Sequence, residues 1–227
     1  MLRFRTVTAA RRPASCLVFV LAATAVVSTT APHRTLNINL ATSQELSATS
    51  TGALVAEVNA IWWQSNLSLV WRTADVSEPL PAMPDSEDWL RVLVLARQAP
   101  GAGHAATFAV GELVRNEGTR PLAIASLTAA RRVVDESRRF QNLDNQRDYE
   151  KRLGVVLGRA VAHEIGHYLL RTSSHAPHGV MRASIGAQEF ADVQSQSFRL
   201  DRVARAHLAR LADAPLSKAP LFSYASR

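Results

Sequence analysis

The 227-residue sequence contains a single cysteine, Cys16. It lies just ahead of the apolar run of a leader-like N-terminus. The rest of the chain has no thiol, which excludes an internal disulfide and any cysteine ligand for a metal. A metal site would have to be built from His, Asp or Glu. The body of the chain also lacks an apolar run of the roughly 18 residues needed for a membrane-spanning helix. No internal repeat and no low-complexity tract is present, so a solenoid and a biased linker are excluded as well. Charge of one sign is scarce. The formal net charge is +7, but Arg3, Arg5, Arg11 and Arg12 all sit in the leader. Removing those four of the 26 basic residues leaves 22 against 19 acidic ones, a net +3. That is too mild for a nucleic-acid partner. The basic run RRVVDESRR, residues 131–139, is broken by Asp135 and Glu136 and reads as a solvated face.

Apolar residues make up 47% of the chain, enough for a packed core. The N-terminus combines MLRFRTVTAARRPAS with the short apolar run CLVFVLAATAVV, residues 16–27. Small residues follow, Ala23 and Ala25 among them. Positive region, short apolar region and small-residue end describe a secretory signal, and the apolar part is short for a permanent anchor. The expected organisation is a signal over 1–31, one domain over 32–212 and a loose tail over 213–227. The mature protein is expected outside the cell or in the cell envelope or periplasm, as a monomer without a stable membrane span.

Within the domain, TLNINL (35–40) alternates as a strand. Residues 49–66 carry apolar residues at helical spacing, with Trp62 and Trp63 read as core. Strands are expected at 67–71, 89–96, 106–114 and 121–127, with 89–96 central. The proline-rich stretch 77–88 is a loop and 99–103 a turn. Residues 145–170 form a long helix started by Asn145 and Asp148, whose stripe Leu153, Val156, Leu157, Ala160 and Val161 faces the core. A loop over 171–188 and a second long helix over 188–211 complete the order. These elements make one α+β domain with a mixed sheet.

Late in the long helix stands His163-Glu164-x-x-His167. Residues four apart on a helix are rotated by about 40° and separated by about 6 Å, so both imidazoles can reach one tetrahedral zinc ion. Glu164 lies beside them and can take a proton from a zinc-activated water that attacks a peptide carbonyl. A catalytic zinc site needs a third protein ligand and an open fourth position. His175, eight residues after His167, and His178 both lie within reach if the chain turns back. Glu189 is the candidate in an arrangement with a glutamate from a following helix, as in thermolysin-like enzymes. It also reads simply as a carboxylate at a helix N-terminus. Tyr168 reads as packing, and His33, His104 and His207 as surface residues.

The stretch HEIGHYLLRTSSHAPHGVM, residues 163–181, resembles the metzincin clan of zinc peptidases. Their motif is H-E-x-x-H-x-x-G-x-x-H followed by a turn containing methionine. His163, Glu164 and His167 match it, and Met181 matches the turn methionine. Leu170 replaces the glycine and Ser173 stands where the third histidine is expected, so His175 fits by a connection two residues longer. The resemblance implies a mostly parallel mixed sheet with a backing helix, a zinc helix and a C-terminal helix. It implies zinc held by His163, His167 and His175, with Glu164 as general base and then proton donor. It also implies a peptide or protein substrate extended along an edge strand, for which ATFAVG (106–111) is the candidate. The alternative is a non-catalytic zinc-binding envelope protein of the same fold.

Overall fold

The computed structural model describes residues 34–79, 82–84, 86, 88–96, 110–115, 120–138 and 145–210. The expected signal, the tail, the 99–103 turn, His33 and His104 lie outside these residues. Five strands form one sheet in the order β2-β1-β3-β5-β4. β1 (Arg34–Thr42) pairs in parallel with β2 (Leu67–Asp75) on one side and β3 (Trp89–Leu95) on the other. β3 pairs in parallel with β5 (Leu122–Ser126), and β4 (Gly111–Val114) closes one edge antiparallel to β5. The sheet is therefore mixed and mostly parallel, with 89–95 at its centre as the sequence suggests. Leu36, Ile38 and Leu40 of β1 and Leu90, Val92 and Val94 of β3 are all fully buried. Their alternation turns one face of each strand into the core.

α1 (Ala48–Trp62) backs this sheet. Ser47 starts it by accepting a hydrogen bond from the Ser50 amide at 3.1 Å, a satisfied N-cap. Leu54, Val58, Ile61 and Trp62 are its buried face. Trp63 differs from the expectation: a 3-10 turn over Trp63–Ser65 rotates its side chain into solvent, where it is 83% exposed. Against α1 lies the long helix α3 (Gln146–Leu170), capped by Asn145 as expected. From Leu153 to Ala162 every residue of α3 is buried, a wider face than the predicted stripe. A helix enclosed on all sides loses the polar face that makes a stripe visible.

Two glycines allow the close crossing of α1 and α3. A Cβ on Gly154 would run into the Ser50 carbonyl oxygen and come within 2.6 Å of Ala53 Cβ. One on Gly158 would lie 2.8 Å from both the Leu54 carbonyl oxygen and Glu57 Cβ.

Two elements differ from the sequence reading. α2 (Leu127–Arg138) occupies the stretch read only for its charge. Ser126 Oγ accepts from the Ala129 amide at 3.1 Å, and Ala129, Ala130, Val133, Val134 and Ser137 form its buried face. The expected helix over 188–211 is broken into α4 (Ala187–Ala191) and α5 (Arg202–Arg210). Polar side chains divert the backbone between them. Asp192 Oδ1 takes the Gln194 amide at 3.0 Å, and Asp201 Oδ1 takes the Ala204 amide at 2.8 Å. Such local bonds compete with helix continuation. The buried Arg159 of α3 also takes carbonyl oxygens of Glu189, Phe190 and Asp192. His207, read from sequence as a surface residue, is buried on α5.

The crossing gives a test of the fold. Gly154→Ala should lower stability by about 1–3 kcal/mol, the usual range for overpacking, because its added methyl meets backbone rather than a movable side chain. Urea unfolding followed by circular dichroism measures this. An unchanged midpoint would contradict the close approach.

Candidate metal centre

The core-facing helix α3 carries His163, Glu164 and His167 near its C-terminal end. Each of the two histidines is held by a backbone carbonyl. His163 Nδ1 lies 2.7 Å from the Val180 oxygen, and His167 Nδ1 lies 2.7 Å from the Thr172 oxygen. A carbonyl only accepts, so each Nδ1 is the protonated nitrogen and each Nε2 carries the lone pair. The two Nε2 atoms face each other at 2.9 Å. Burial, the largest influence on both rings, lowers the pKa of His163 to about 4 and that of His167 below its ordinary value. Both rings are thus neutral at neutral pH. Two lone pairs at that distance repel unless a cation lies between them. In a tetrahedral zinc site ligand nitrogens stand roughly 3.3 Å apart, so this convergence is what a metal centre needs.

His175 completes the group. Its ring stacks beside His163 with centroids 5.2 Å apart and meets His167 edge-on at 5.0 Å. One ring nitrogen from each of the three histidines falls within 4.8 Å of the others. His175 is exposed whereas His167 is buried, so the group opens to solvent on one side. The donor set, three neutral imidazoles with an open side, suits a first-row divalent ion such as zinc.

The path from α3 to His175 explains the departure from the motif. The helix continues through Leu170, and Arg171 takes the left-handed conformation at φ 50° and ψ 41°. Its amide bonds to the carbonyls of His167 and Tyr168, which ends the helix. Thr172 then supplies the carbonyl that orients His167 and, through Oγ1, accepts the Ser174 amide at 3.0 Å. An arginine does here what a glycine usually does, one residue later, and one further residue in the loop completes the two-residue lengthening that brings His175 back.

Met181 lies beneath the group. Its carbonyl takes the Ala176 amide at 2.8 Å, and its side chain is buried against α3. A Cβ on Gly166, between the two helix histidines, would overlap Met181 Sδ. Gly179 precedes this turn with φ +77°, and a Cβ there would overlap the Arg199 carbonyl, so the turn requires glycine.

Glu164 is buried, and burial, followed by the charge of Glu112, pushes its pKa up to about 8. A cation held by the neighbouring histidines would favour the carboxylate form again. Gly111 of β4 makes room for it, since a Cβ at that position would lie 2.8 Å from Glu164 Oε1. The edge strand and the candidate base are therefore in contact. The sequence placed this edge strand at 106–114. It is observed from Gly111, and 106–109 lie outside the described residues.

The rival ligands are elsewhere. His178 is exposed and is not among the converging histidines. Glu189 is engaged by Arg182, with Arg182 Nη1 at 3.2 Å from its Oε2, and accepts from Ser197 Oγ at 2.7 Å. These bonds lower its pKa, the Arg182 hydrogen bond most. Tyr168 packs into the core as expected. Sequence reasoning overlooked Gly111, Gly166, Arg159 and Arg115. Glycine within a helical pattern, as at 154, 158 and 166, was the visible signal for close contacts.

A cleft of about 830 Å³ runs over this group. No protein-family model matches the chain, and no curated protein matches it. Among solved structures, the crystal structure of archaemetzincin from Methanopyrus kandleri is similar, at 16% identity and a TM-score of 0.46. The match covers 81% of this chain and 98% of that one. A likeness of that degree leaves the assignment to the site itself.

The ligand set is tested by metal content. His175→Ala should lose most of the bound zinc, whereas His178→Ala and Glu189→Ala should retain it when dialysed proteins are measured by atomic emission. Full occupancy in His175→Ala, with loss in either other variant, would contradict the arrangement.

Proposed function

We propose that this chain is an exported zinc-dependent metalloendopeptidase that acts as a monomer on peptide or protein substrates. The observation that carries the metal is the pair of neutral imidazole Nε2 atoms turned towards each other at 2.9 Å, each ring fixed from behind by a backbone carbonyl. His163, His167 and His175 would hold the ion. When bound, zinc would acidify a water and polarise the scissile carbonyl.

The chain's own groups account for the remainder. Glu164 accepts the proton of the attacking water and returns it to the leaving amine as the peptide bond breaks. Its contact with Gly111 places the base against the edge strand. An extended substrate paired with β4 would present its backbone along that edge. Peptidase chemistry is favoured over a purely structural zinc site because a structural site has no use for a buried carboxylate beside its ligands, nor for an exposed third ligand. Glu189, held by Arg182 and Ser197, argues against the thermolysin-like variant.

Export rests on the composition of residues 1–31. No helix among the described residues is long and apolar enough to cross a membrane.

Glu164→Gln separates the catalytic from the non-catalytic reading. Zinc should stay bound while hydrolysis of a peptide library falls by about 10²–10⁴, the range for loss of a general base. Cleavage as fast as the parent would overturn the mechanism. A parent protein that binds zinc but cleaves nothing, with or without chelator, would support the zinc-binding envelope protein instead.

A further inference from the structure

Away from the cleft, one stretch of the chain gathers charge of one sign. The segment 199–210 holds four basic residues, Arg199, Arg202, Arg205 and Arg210, against one acidic residue, Asp201. It therefore carries the whole +3 excess of residues 32–227, and the 18 other basic residues there are matched by 18 acidic ones. Asp201 is engaged by the Ala204 amide. Among the described residues none of the four arginines is ion-paired. Arg199 donates to Gln196 Oε1 at 2.6 Å and Arg205 to Gln64 Oε1 at 2.8 Å, and both acceptors are neutral amides. α5 buries Ala204 and His207, so its outward arc is Arg202, Val203, Ala206, Ala209 and Arg210.

Trp63 stands beside this segment. It lines a cavity of about 190 Å³ together with Arg199 and Arg205. At 83% exposure it is the most exposed large apolar side chain among the described residues, and Val203 of α5 follows at 63%. The stretch 58–66 around Trp63 contains no acidic residue. A solvated arginine or a lone exposed apolar residue is ordinary. Here the two most exposed apolar side chains and the unmatched positive charge of the chain fall on one short helix and the turn bonded to it. The boundary of an anionic bilayer suits both. An indole settles at headgroup depth, and lipid phosphates attract guanidiniums whose stems lie along apolar surface. A dissolved polyanion would use the arginines but leave Val203 in water.

We propose that Trp63 and the arginines of 199–210 form a docking surface for a bilayer that carries anionic phospholipid, with α5 lying flat on it. This surface and the cleft over the histidines are lined by different residues, so docking does not depend on the peptidase reading. Backbone joins the two. The Arg199 carbonyl accepts the Val180 amide at 3.4 Å, and the Val180 carbonyl lies 2.7 Å from His163 Nδ1. A docked chain therefore holds the metal centre in one orientation to the bilayer.

The test uses the chain as recovered from an exporting host, with its N-terminus read by mass spectrometry, so that an apolar leader does not carry it to lipid. Vesicles of phosphatidylcholine alone are compared with mixed phosphatidylcholine–phosphatidylglycerol vesicles by co-sedimentation. Hydrogen exchange of the bound chain locates the contact. The expected result is binding at least about tenfold tighter to the mixed vesicles, weakened by salt. Exchange should slow in 59–66 and 199–210. Arg199→Gln combined with Arg202→Gln should weaken binding by about tenfold, whereas the same two positions changed to Lys should retain it. Trp63→Ser should weaken binding to both kinds of vesicle. All three side chains are exposed, so circular dichroism should be unchanged in each variant.

Equal affinity for the two kinds of vesicle would overturn the proposal. So would protection confined to other segments, or parental affinity in both the double glutamine variant and Trp63→Ser. A chain that ignores vesicles but binds heparin or DNA with the same arginine dependence would overturn it too, and would assign the patch to a soluble polyanion.

Discussion

A buried guanidinium one helical turn before the first site histidine holds the elements around the candidate metal centre together. Arg159 is 1% exposed. It bonds to Glu57 of α1, to the carbonyls of Glu189 and Phe190 in α4, and to the Asp192 carbonyl just beyond, while its plane lies 3.9 Å over the Phe198 ring. A buried charge is tolerable only when its donors are satisfied. Here the partners come from two separate parts of the chain, so that one requirement ties α1, α3 and the segment after the methionine turn into a single arrangement. The tight crossing at Gly154 and Gly158 brings Glu57 within reach of Arg159, and the carbonyls it takes are those that a continuous C-terminal helix would have used internally.

The site inherits its order from this frame. A helix enclosed on all sides cannot rotate, so His163 and His167 point in a fixed direction. Loops on either side of them then supply one carbonyl each, from Val180 and from Thr172, which set the ring tautomers. Both loops double as structure. The Thr172 loop delivers His175, and the Val180 turn places Met181 under Gly166. Orientation of the candidate ligands and packing beneath them are thus properties of the same short segments.

Much of this was legible in the sequence, for identifiable reasons. The strands alternate, α1 and α3 carry apolar residues at helical spacing, and the zinc motif has fixed spacing on a helix. The nomination of His175 followed from its place between the helix and the Met181 turn, and the structure brings that residue beside the other two. What was not legible depends on partners distant in sequence. The segment 131–139 was read for its charge, and the buried face of α2 starts before it, at Leu127, Ala129 and Ala130, inside and just after the stretch read as a strand. The segment 188–211 has helical composition throughout, and its break combines the local bonds of Asp192 and Asp201 with carbonyls drawn off by Arg159, some thirty residues earlier. Trp62 and Trp63 look alike until a 3-10 turn separates them. Arg171 has no reason in its own sequence to adopt the left-handed conformation; the loop that follows imposes it.

The central claim is that His163, His167 and His175 together bind zinc through nitrogen and leave a position open. Zinc-edge X-ray absorption of the metal-loaded full chain tests it most directly. The account predicts one zinc per chain with three imidazole nitrogens at about 2.0–2.1 Å and a further light ligand from solvent. A closed shell of four protein ligands, a carboxylate in place of the third imidazole, or the absence of stoichiometric zinc would contradict it.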